Sequence, residues 1–374
     1  MNVATSATAP VPLRTEGIRG AQVLLLCEHL EPNLAFWVDR LGFRVDAIFP
    51  ADAPRFAMIS GHGLNIRLQR GADGGAPSVM LLCDDPSRVA AGQTRLEAPN
   101  GAVVELIHAM PPMQTPATVQ KLVLTRSADS DDWGWGRAGL RYRDLLPERH
   151  GGAFIASHIR VLDGGPVPDY VHFHKIRFQT IFCRKGWVRV LYQGQGPAFV
   201  MHAGDCVLQP PMIRHRVLES SAGAEVVEVS APAEHITMAD HELALPGLDL
   251  PPDHDFAGQR FVLHNAASAS WLPWRVDGFE FRDTGIAQAT DGLAGVRVVR
   301  TTGHAATTAQ RHSAEFCFYF VLSGSLTVQC DSRANRLISD DCITIPGGMD
   351  YTLGDCSADL ELLEVTLPAA VQPG

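Results

Sequence analysis

Short segments in which hydrophobic and polar residues alternate make up most of the chain beyond residue 119. Alternation with a period of two is typical of β-strands that bury one face. The clearest such segments are residues 153–162, 186–192, 205–209 and 224–230. Gly and Pro occur at nearly every junction between them, which predicts barrels built from short strands.

The N-terminal part of the chain follows a different pattern. An apolar strand over residues 21–27 precedes a helix that begins near Pro32 and stops at Gly42, because proline suits the first helical turn and glycine the C-terminal stop. Four residues of this helix recur at helical spacing and predict one buried face: Leu34, Trp37, Val38 and Leu41. Strands are predicted at residues 43–49, 56–59 and 64–68, which gives the order β-α-β-β-β.

Two segments rich in proline, residues 109–116 and 245–254, are interpreted as linkers. The sequence therefore predicts a loose arm over residues 1–17, an α+β domain over 18–112 and two β-barrel domains over 113–246 and 247–374. A chain of 374 residues is too long for one core, which agrees with several domains.

Composition and charge exclude several classes of partner. The net charge of −10 and the lack of a basic run argue against nucleic acid and anionic membranes. No apolar run approaches the roughly 20 residues needed to span a bilayer. The eight cysteines form no Cys-x-x-Cys pair and are interpreted as buried thiols in a reducing compartment. We therefore expect a cytoplasmic protein without a membrane partner.

The candidate chemistry centres on a strand that contains His172 and His174. Residues two apart on a strand point to the same side, so both imidazoles can bind one metal ion. Gln179 follows after four intervening residues, and a hairpin brings in His215. Imidazole suits Fe, Ni, Zn, Cu and Mn, so this set of side chains selects no single metal.

The spacing of this segment resembles the two motifs of the cupin superfamily. Six positions carry the resemblance: His172, His174, Gly186, Gly204, Pro210 and His215. It implies a double-stranded β-helix barrel with a metal held by the three histidines and by residue 179. The sequence departs from the family at that residue, because Gln179 stands where a glutamate is usual. Its amide oxygen can still ligate, but the side chain is neutral and cannot act as a general base.

An internal repeat of the motif lies near the C-terminus. Four positions align with the metal-binding residues of the first motif: Gln310, His312, Cys317 and Tyr351. Only one of the four ligand types is retained, and Glu315 lies out of register. The chain thus resembles a bicupin, with an architecture like that of gentisate dioxygenase, that has one metal-binding and one degenerate barrel.

The β-α-β-β-β segment, with residues 29–43, resembles the first module of the glyoxalase and bleomycin-resistance (vicinal oxygen chelate) superfamily. A shortened second module spans residues 79–107. Gln22 and Ser78 stand at the positions where the family places metal-binding histidines, and Glu105 is left as a nearly isolated carboxylate. We therefore predict a metal-free accessory domain. The complete expectation is a mainly β protein, in which two cupin barrels follow an α+β glyoxalase-like domain.

Four further residues near the predicted centre are candidate catalytic residues: His158, Arg160, Arg177 and Arg214. Arginine pairs with carboxylates through two hydrogen bonds, which favours a small anionic substrate. His158, which shares a strand face with Arg160, is a candidate proton shuttle or a partner that orients a metal ligand.

Three functions stay open at this point. The first is a non-heme Fe(II) dioxygenase that cleaves a small aromatic or diketone acid, which the resemblance to three-histidine cupin dioxygenases favours. The second is a non-redox lyase, isomerase or hydrolase that uses Mn, Zn or Ni, and the third is a small-molecule-binding or regulatory protein without turnover. All predict about one divalent metal per chain, with Fe(II) favoured, and we expect a homo-oligomer, a dimer.

Overall fold

The computed structural model describes residues 14–40, 42–71, 78–97, 103–129, 133–247, 250–251, 253–303, 309–330 and 332–371. Most of the predicted arm, Leu41 of the predicted helix and residues 98–102 lie outside these ranges. Strands make up 46% of the structure and helices 8%, which confirms a mainly β protein. The chain forms two compact units. The smaller unit comprises Met1–Phe49 and Pro54–Met113, and the larger unit comprises Pro50–Ala53 and Gln114–Gly374.

The smaller unit is one twisted sheet with two short helices. Its elements are β1 (Ile18–Cys27), α1 (Leu30–Ala35), β2 (Arg44–Phe49), β3 (Phe56–Gly61), β4 (Leu64–Arg70), β5 (Ser78–Cys83), α2 (Pro86–Val89), β6 (Arg95–Glu97) and β7 (Val103–His108). The strand order is β2-β3-β4-β1-β5-β7-β6, and the β1–β4 and β5–β7 pairs are parallel. The unit therefore contains one β-α-β-β-β repeat and a shortened second one.

The helix of the smaller unit differs from its prediction. It begins at Leu30 rather than at Pro32, and its second half, Phe36–Arg40, is a π-helix. The predicted stop is present: Gly42 has a φ of 71°, and its N–H donates to the carbonyl of Val38 at 3.1 Å. Pattern alone cannot distinguish these helix types, because the apolar stripe is similar in both.

Glu105 lies in the smaller unit, on β7. It stands opposite Met80 of β5, and Met80 in turn stands opposite Gln22 of β1. Its carboxylate lies 3.6 Å from the guanidinium of Arg95. The expectation that this domain carries out no metal chemistry, and its resemblance to glyoxalases, stay predictions.

The first repeat of the larger unit contains two sheets. Its strands are β8 (Val123–Thr125), β9 (Gly134–Trp135), β10 (Arg141–Asp144), β11 (Ile155–Val161), β12 (Gly165–Pro166), β13 (His172–His174), β14 (Phe178–Lys185), β15 (Trp187–Tyr192), β16 (Phe199–His202), β17 (Cys206–Leu208), β18 (His215–Ser220), β19 (Ala224–Ala231) and β20 (Thr237–Ala239). One sheet has the order β17-β14-β19-β11-β10-β9, and the other has the order β16-β15-β18-β13-β20, with β12 on β18. Buried residues of both sheets, such as Cys183 and Val190, share one core.

The second repeat is built in the same way. Its elements are β21 (Val262–His264), β22 (Leu272–Pro273), β23 (Phe279–Asp283), α3 (Ile286–Ala289), β24 (Gly295–Thr301), β25 (Phe316–Ser323), β26 (Ser325–Cys330), β27 (Arg333–Ile338), β28 (Cys342–Thr344), β29 (Tyr351–Gly354) and β30 (Glu361–Leu367). The sheet orders are β22-β23-β24-β30-β25-β28 and β27-β26-β29. The order of its strands in the sheets agrees with the internal repeat seen in the sequence.

The two repeats exchange an edge strand. β8, at the start of the first repeat, pairs with β28 of the second, and β21, at the start of the second repeat, pairs with β17 of the first. A large apolar core also contains buried residues of both repeats, among them Phe154, Phe182, Phe316 and Phe320. The position predicted as a boundary, between residues 246 and 247, therefore separates two repeats that fold into one compact unit.

All eight cysteines are free thiols, and seven of them are buried, as predicted. Among the described residues, no helix is long and apolar enough to cross a membrane.

A buried carboxylate of the second repeat is held by two arginines. Glu364 on β30 is fully buried and accepts hydrogen bonds from Arg275, Arg297 and the hydroxyl of Tyr319. Burial favours the neutral acid, but the two guanidinium groups hold the pKa of Glu364 below its ordinary value. The carboxylate therefore stays charged at neutral pH.

We expect Glu364→Gln to lower the free energy of unfolding by about 1.5–3 kcal/mol, because it removes the charged acceptor of the hydrogen bonds from Arg275 and Arg297, whose guanidinium groups are partly exposed. Urea denaturation at pH 7 measures this loss. The control is Glu361→Gln, a partly exposed position on the same strand, where we expect a change within about 0.5 kcal/mol. Because the pKa is lowered in the folded state, the difference from wild type should shrink as the pH falls below the ordinary carboxyl pKa. Equal losses in the two variants at pH 7 would contradict this account.

Candidate metal centre

Three imidazoles of the first repeat converge on one point. His172 and His174 lie on β13, and His215, the first residue of β18, stands directly opposite His172 in the antiparallel pair. The ring centroids are 4.2–5.3 Å apart, and one nitrogen of each ring lies within 4.8 Å of the others. The three side chains are buried. The structure thus brings together the three histidines that the sequence predicted as a group.

The second nitrogen of each ring is held by a neighbouring oxygen. The Nδ1 atoms lie 2.8 Å from the carbonyl of Tyr170 for His172, 3.0 Å from the carbonyl of Ile213 for His215, and 3.1 Å from the hydroxyl of Thr237 for His174. A carbonyl only accepts, so Nδ1 of His172 and of His215 carries the proton and Nε2 keeps a free lone pair. Nε2 of His172 is buried and has no hydrogen-bond partner among the described residues.

All three histidines are neutral at physiological pH. Burial lowers the pKa of His172 and His174 well below the ordinary value, and the nearby cations and imidazoles act in the same direction. Burial also lowers the pKa of His215 to about 3. Neutral imidazole is the form that binds metal ions, so the site presents its ligands without first losing protons.

Gln179 on β14 lines the same cavity as the three histidines. Its Nε2 donates to Oε1 of Glu228 at 3.0 Å, and its own Oε1 is buried without a hydrogen-bond partner among the described residues. Two unpartnered buried atoms, Nε2 of His172 and Oε1 of Gln179, thus line the same cavity. Buried polar atoms are rarely left without a partner, and a divalent cation satisfies both. Three imidazoles and an amide oxygen therefore fit a metal ion.

Arg137 is a cavity residue that the motif did not identify. It is buried, and its guanidinium is paired with the carboxylate of Asp169. Burial lowers the pKa of Arg137, but Asp169 outweighs that effect and the pKa is raised. Asp169 also accepts from the N–H of Val217 at 2.9 Å and lies 3.6 Å from Nδ1 of His172. It therefore links the guanidinium to the centre.

The cavity beside the imidazoles is small and mainly apolar. Its volume is about 90 Å³, well below the roughly 300 Å³ at which pockets for drug-sized ligands begin. The walls are aliphatic and aromatic side chains, among them Leu140, Ile159, Val190 and Val217. Its polar residues, besides the histidines, are Arg137, Gln179, Gln209 and Glu228, together with the hydroxyls of Tyr142 and Tyr192. Such a cavity suits a small molecule.

Two of the predicted catalytic residues, His158 and Arg160, are not among the described residues that line this cavity. Nε2 of His158 lies 2.9 Å from a carboxylate oxygen of Glu225, and Arg160 donates to the same carboxylate. Burial lowers the pKa of His158. On β11 the alternate residues Ile159 and Val161 line the cavity instead. The two polar residues share one face, but it is the opposite face of the strand.

Arg177 and Arg214 also lie outside the described lining of the cavity. Arg177 forms a two-point ion pair with Glu315 of the second repeat, at 3.1 and 3.2 Å. Arg214 donates to Asp240 at 3.1 Å, and its guanidinium lies over the ring of Phe173. The predicted catalytic roles of all four residues stay predictions, and in this structure Arg137 is the arginine of the cavity.

A second group of possible metal ligands lies where the two repeats meet. It consists of His158, Glu225 and Asp340. Four cationic side chains contact this group: Arg143, Arg160, Arg184 and Lys185. They neutralise the carboxylates, so the cluster is an ion-pair network between the repeats.

The second repeat does not contain a second group of three histidines at the equivalent positions. His312 is buried, and its Nδ1 accepts from the N–H of Ala314 at 3.2 Å. Cys317 and Tyr351 stand at the positions of Gln179 and His215, and Arg275 places its charge between Tyr319 and Glu364. In the second repeat, therefore, a side-chain cation pairs with the buried carboxylate.

Protein-family models give no match to this chain. Curated proteins give none either. Solved structures do match. Salicylate 1,2-dioxygenase from Pseudaminobacter salicylatoxidans has a TM-score of 0.51 at 14% identity, covering 69% of this chain and 86% of its own. A mutant of that enzyme in complex with gentisate has a TM-score of 0.50 at 12% identity, covering 67% and 83%. Oxalate decarboxylase from Bacillus subtilis has a TM-score of 0.47 at 13% identity, covering 70% and 80%. The two salicylate 1,2-dioxygenase structures are cupin proteins, and their likeness to this chain shows the fold, which is cupin-like.

We expect the alanine variants of His172, His174 and His215 each to lose most of the bound metal. Changes in the residues around metal ligands alone weaken binding by roughly 10–100-fold, and removal of a ligand should cost more. Elemental analysis after dialysis measures the metal content, which should be about one equivalent per chain in wild type. His312→Ala is the matched control and should keep that equivalent. Two equivalents in wild type, or loss in the control alone, would contradict the assignment.

Proposed function

We propose that the protein is a metal-dependent cupin enzyme that uses Fe(II) and dioxygen to cleave a small oxygenated acid, aromatic or diketone. The observation that carries the proposal is the convergence of His172, His174 and His215, with the other nitrogen of each ring held by a neighbouring oxygen. Imidazole ligands suit Fe(II) among other metals. An Fe(II) ion here would supply Lewis acidity toward an oxygenated substrate and redox chemistry toward dioxygen.

The residues around the histidines support this chemistry in two ways. The aliphatic walls exclude water, which strengthens the electrostatic interactions inside the cavity. The three imidazoles and the amide of Gln179 are uncharged, so the positive charge of a bound ion is not reduced by its ligands. A substrate oxygen would therefore experience a strong field.

Arg137 supports an anionic substrate. Its guanidinium is buried in the cavity, and its Nε has no hydrogen-bond partner among the described residues. The pair with Asp169 fixes the orientation of the guanidinium and leaves this donor for a ligand. A carboxylate is the group that a guanidinium binds best in such a setting.

The fold agrees with this choice of reaction class. The neighbour with a TM-score of 0.51 is named a salicylate 1,2-dioxygenase, and a mutant of it binds gentisate. Both compounds are small aromatic acids. We take that class of substrate as the starting point for assays of this protein.

One observation favours a second candidate function. Glu228 provides a carboxylate in the same cavity, so the site contains a group that can exchange protons with a substrate. A non-redox lyase, isomerase or hydrolase with Mn, Zn or Ni needs such a group and consumes no dioxygen.

The test is dioxygen uptake by protein loaded anaerobically with Fe(II). We expect uptake only when a small aromatic or diketone acid is added, in proportion to the product formed, and none with Zn in place of iron. Conversion of substrate without dioxygen by the Mn, Zn or Ni protein would favour the second candidate. The absence of turnover with every metal would contradict both.

The role of Arg137 has its own prediction. Arg137→Lys keeps the charge but loses the planar donor group, so we expect KM for the anionic substrate to rise about tenfold or more, the loss of roughly one charge-assisted hydrogen bond. Steady-state kinetics measures KM, and elemental analysis should show unchanged metal content. Arg189→Lys, in a surface ion pair with Glu219, is the control and should leave KM unchanged. An unchanged KM in Arg137→Lys would contradict the assignment.

A further inference from the structure

Gln179 contacts a carboxylate that stands on the neighbouring strand. Gln179 of β14 lies directly opposite Ser230 of β19, and Glu228 is two residues along β19 from Ser230. Residues two apart on a strand share a face, so Glu228 is a diagonal neighbour of Gln179 on the cavity side. The distance from Nε2 of Gln179 to Oε1 of Glu228 is 3.0 Å.

This contact determines which way the amide points. An ionised carboxylate only accepts hydrogen bonds, so the amide nitrogen of Gln179 must face Glu228 and the carbonyl oxygen must face away from it. The hydroxyl of Ser230 donates to the same oxygen of Glu228 at 3.0 Å. Two donors thus hold one carboxylate oxygen in place, and Oε1 of Gln179 is left buried without a partner among the described residues.

We propose that Glu228 is a positioning residue, which fixes the Gln179 amide so that its carbonyl oxygen serves as the fourth donor of the metal centre. In this arrangement Glu228 carries the negative charge but does not contact the ion. Gln179, which would contact the ion, stays neutral. The proposal rests on the proposed metal-binding function of the three histidines.

The second repeat has a carboxylate at the position equivalent to Glu228, but it has no amide at the position equivalent to Gln179. Glu364 occupies the position on β30 that Glu228 occupies on β19, since Cys317 pairs with Thr366 as Gln179 pairs with Ser230. There the carboxylate binds the guanidinium of Arg275. The carboxylate is thus present in both repeats, and only in the first does it hold an amide.

The pair can be tested by exchanging its two members. Glu228→Gln replaces a charged acceptor with a neutral amide, so the orientation of Gln179 is no longer imposed. Gln179→Glu places two carboxylates within hydrogen-bond distance, where they repel each other. The double variant Q179E/E228Q restores one donor and one acceptor with the roles reversed, and it brings a carboxylate to the centre.

Titration of the metal-free full-length protein with Co(II), followed by its visible absorption, measures affinity and coordination without requiring turnover. We expect Glu228→Gln to weaken Co(II) binding by about tenfold or more, the usual effect of losing a group that orients a ligand. Gln179→Glu alone should lower the melting temperature of the metal-free protein. The double variant should recover that temperature and bind Co(II) at least as tightly as wild type, with a changed spectrum. Glu219→Gln, which removes a surface carboxylate, is the control for loss of charge.

Two results would overturn the proposal. One is Co(II) binding by Glu228→Gln equal to that of wild type. The other is weakened binding in Glu228→Gln together with a double variant no better than Gln179→Glu, which would assign Glu228 to packing. Failure of the underlying metal centre is recognised separately, because wild type would then bind no Co(II), or His172→Ala would bind it equally well.

Discussion

The first repeat depends on how the buried imidazoles are held by oxygen atoms of their own scaffold. A carbonyl two residues before His172 and another two residues before His215 fix the tautomers of both rings. Because the two histidines are opposite each other on adjacent strands, the same sheet pairing sets their separation. Without a ligand, the buried Nε2 of His172 would be unsatisfied, which is costly in an apolar interior. The pairing of these two strands therefore also determines the geometry of the proposed metal site.

The two repeats provide different partners for the equivalent carboxylate. The second repeat satisfies its buried carboxylate, Glu364, with Arg275, so this carboxylate needs no bound ion. In the first repeat the carboxylate of Glu228 is occupied by an amide, and the cationic residue Arg137 is engaged with Asp169. Exchange of edge strands and a shared core join the repeats, so the second is a structural partner of the first.

The sequence predicted the mainly β fold and the positions of the three histidines and of Gln179, because their spacing follows from strand period and hairpin length. It placed His158 beside the centre, and that residue lies on the other strand face; alternation shows which residues share a face but not which face is inside. Glu228 and Arg137 were missed, since each lies on a strand or turn that is far from the motif in the sequence. Aligning Glu228 with Glu364 in the repeat was the one signal available for finding Glu228.

The most direct test of the central claim is X-ray absorption at the metal edge of the loaded protein. The account predicts one metal site whose scattering requires three imidazoles, together with oxygen ligands and no sulfur. His312→Ala should give the same spectrum, and His172→Ala should lose one imidazole contribution or the metal itself. A shell dominated by carboxylate oxygen or by sulfur, or an imidazole count unchanged in His172→Ala, would contradict the account.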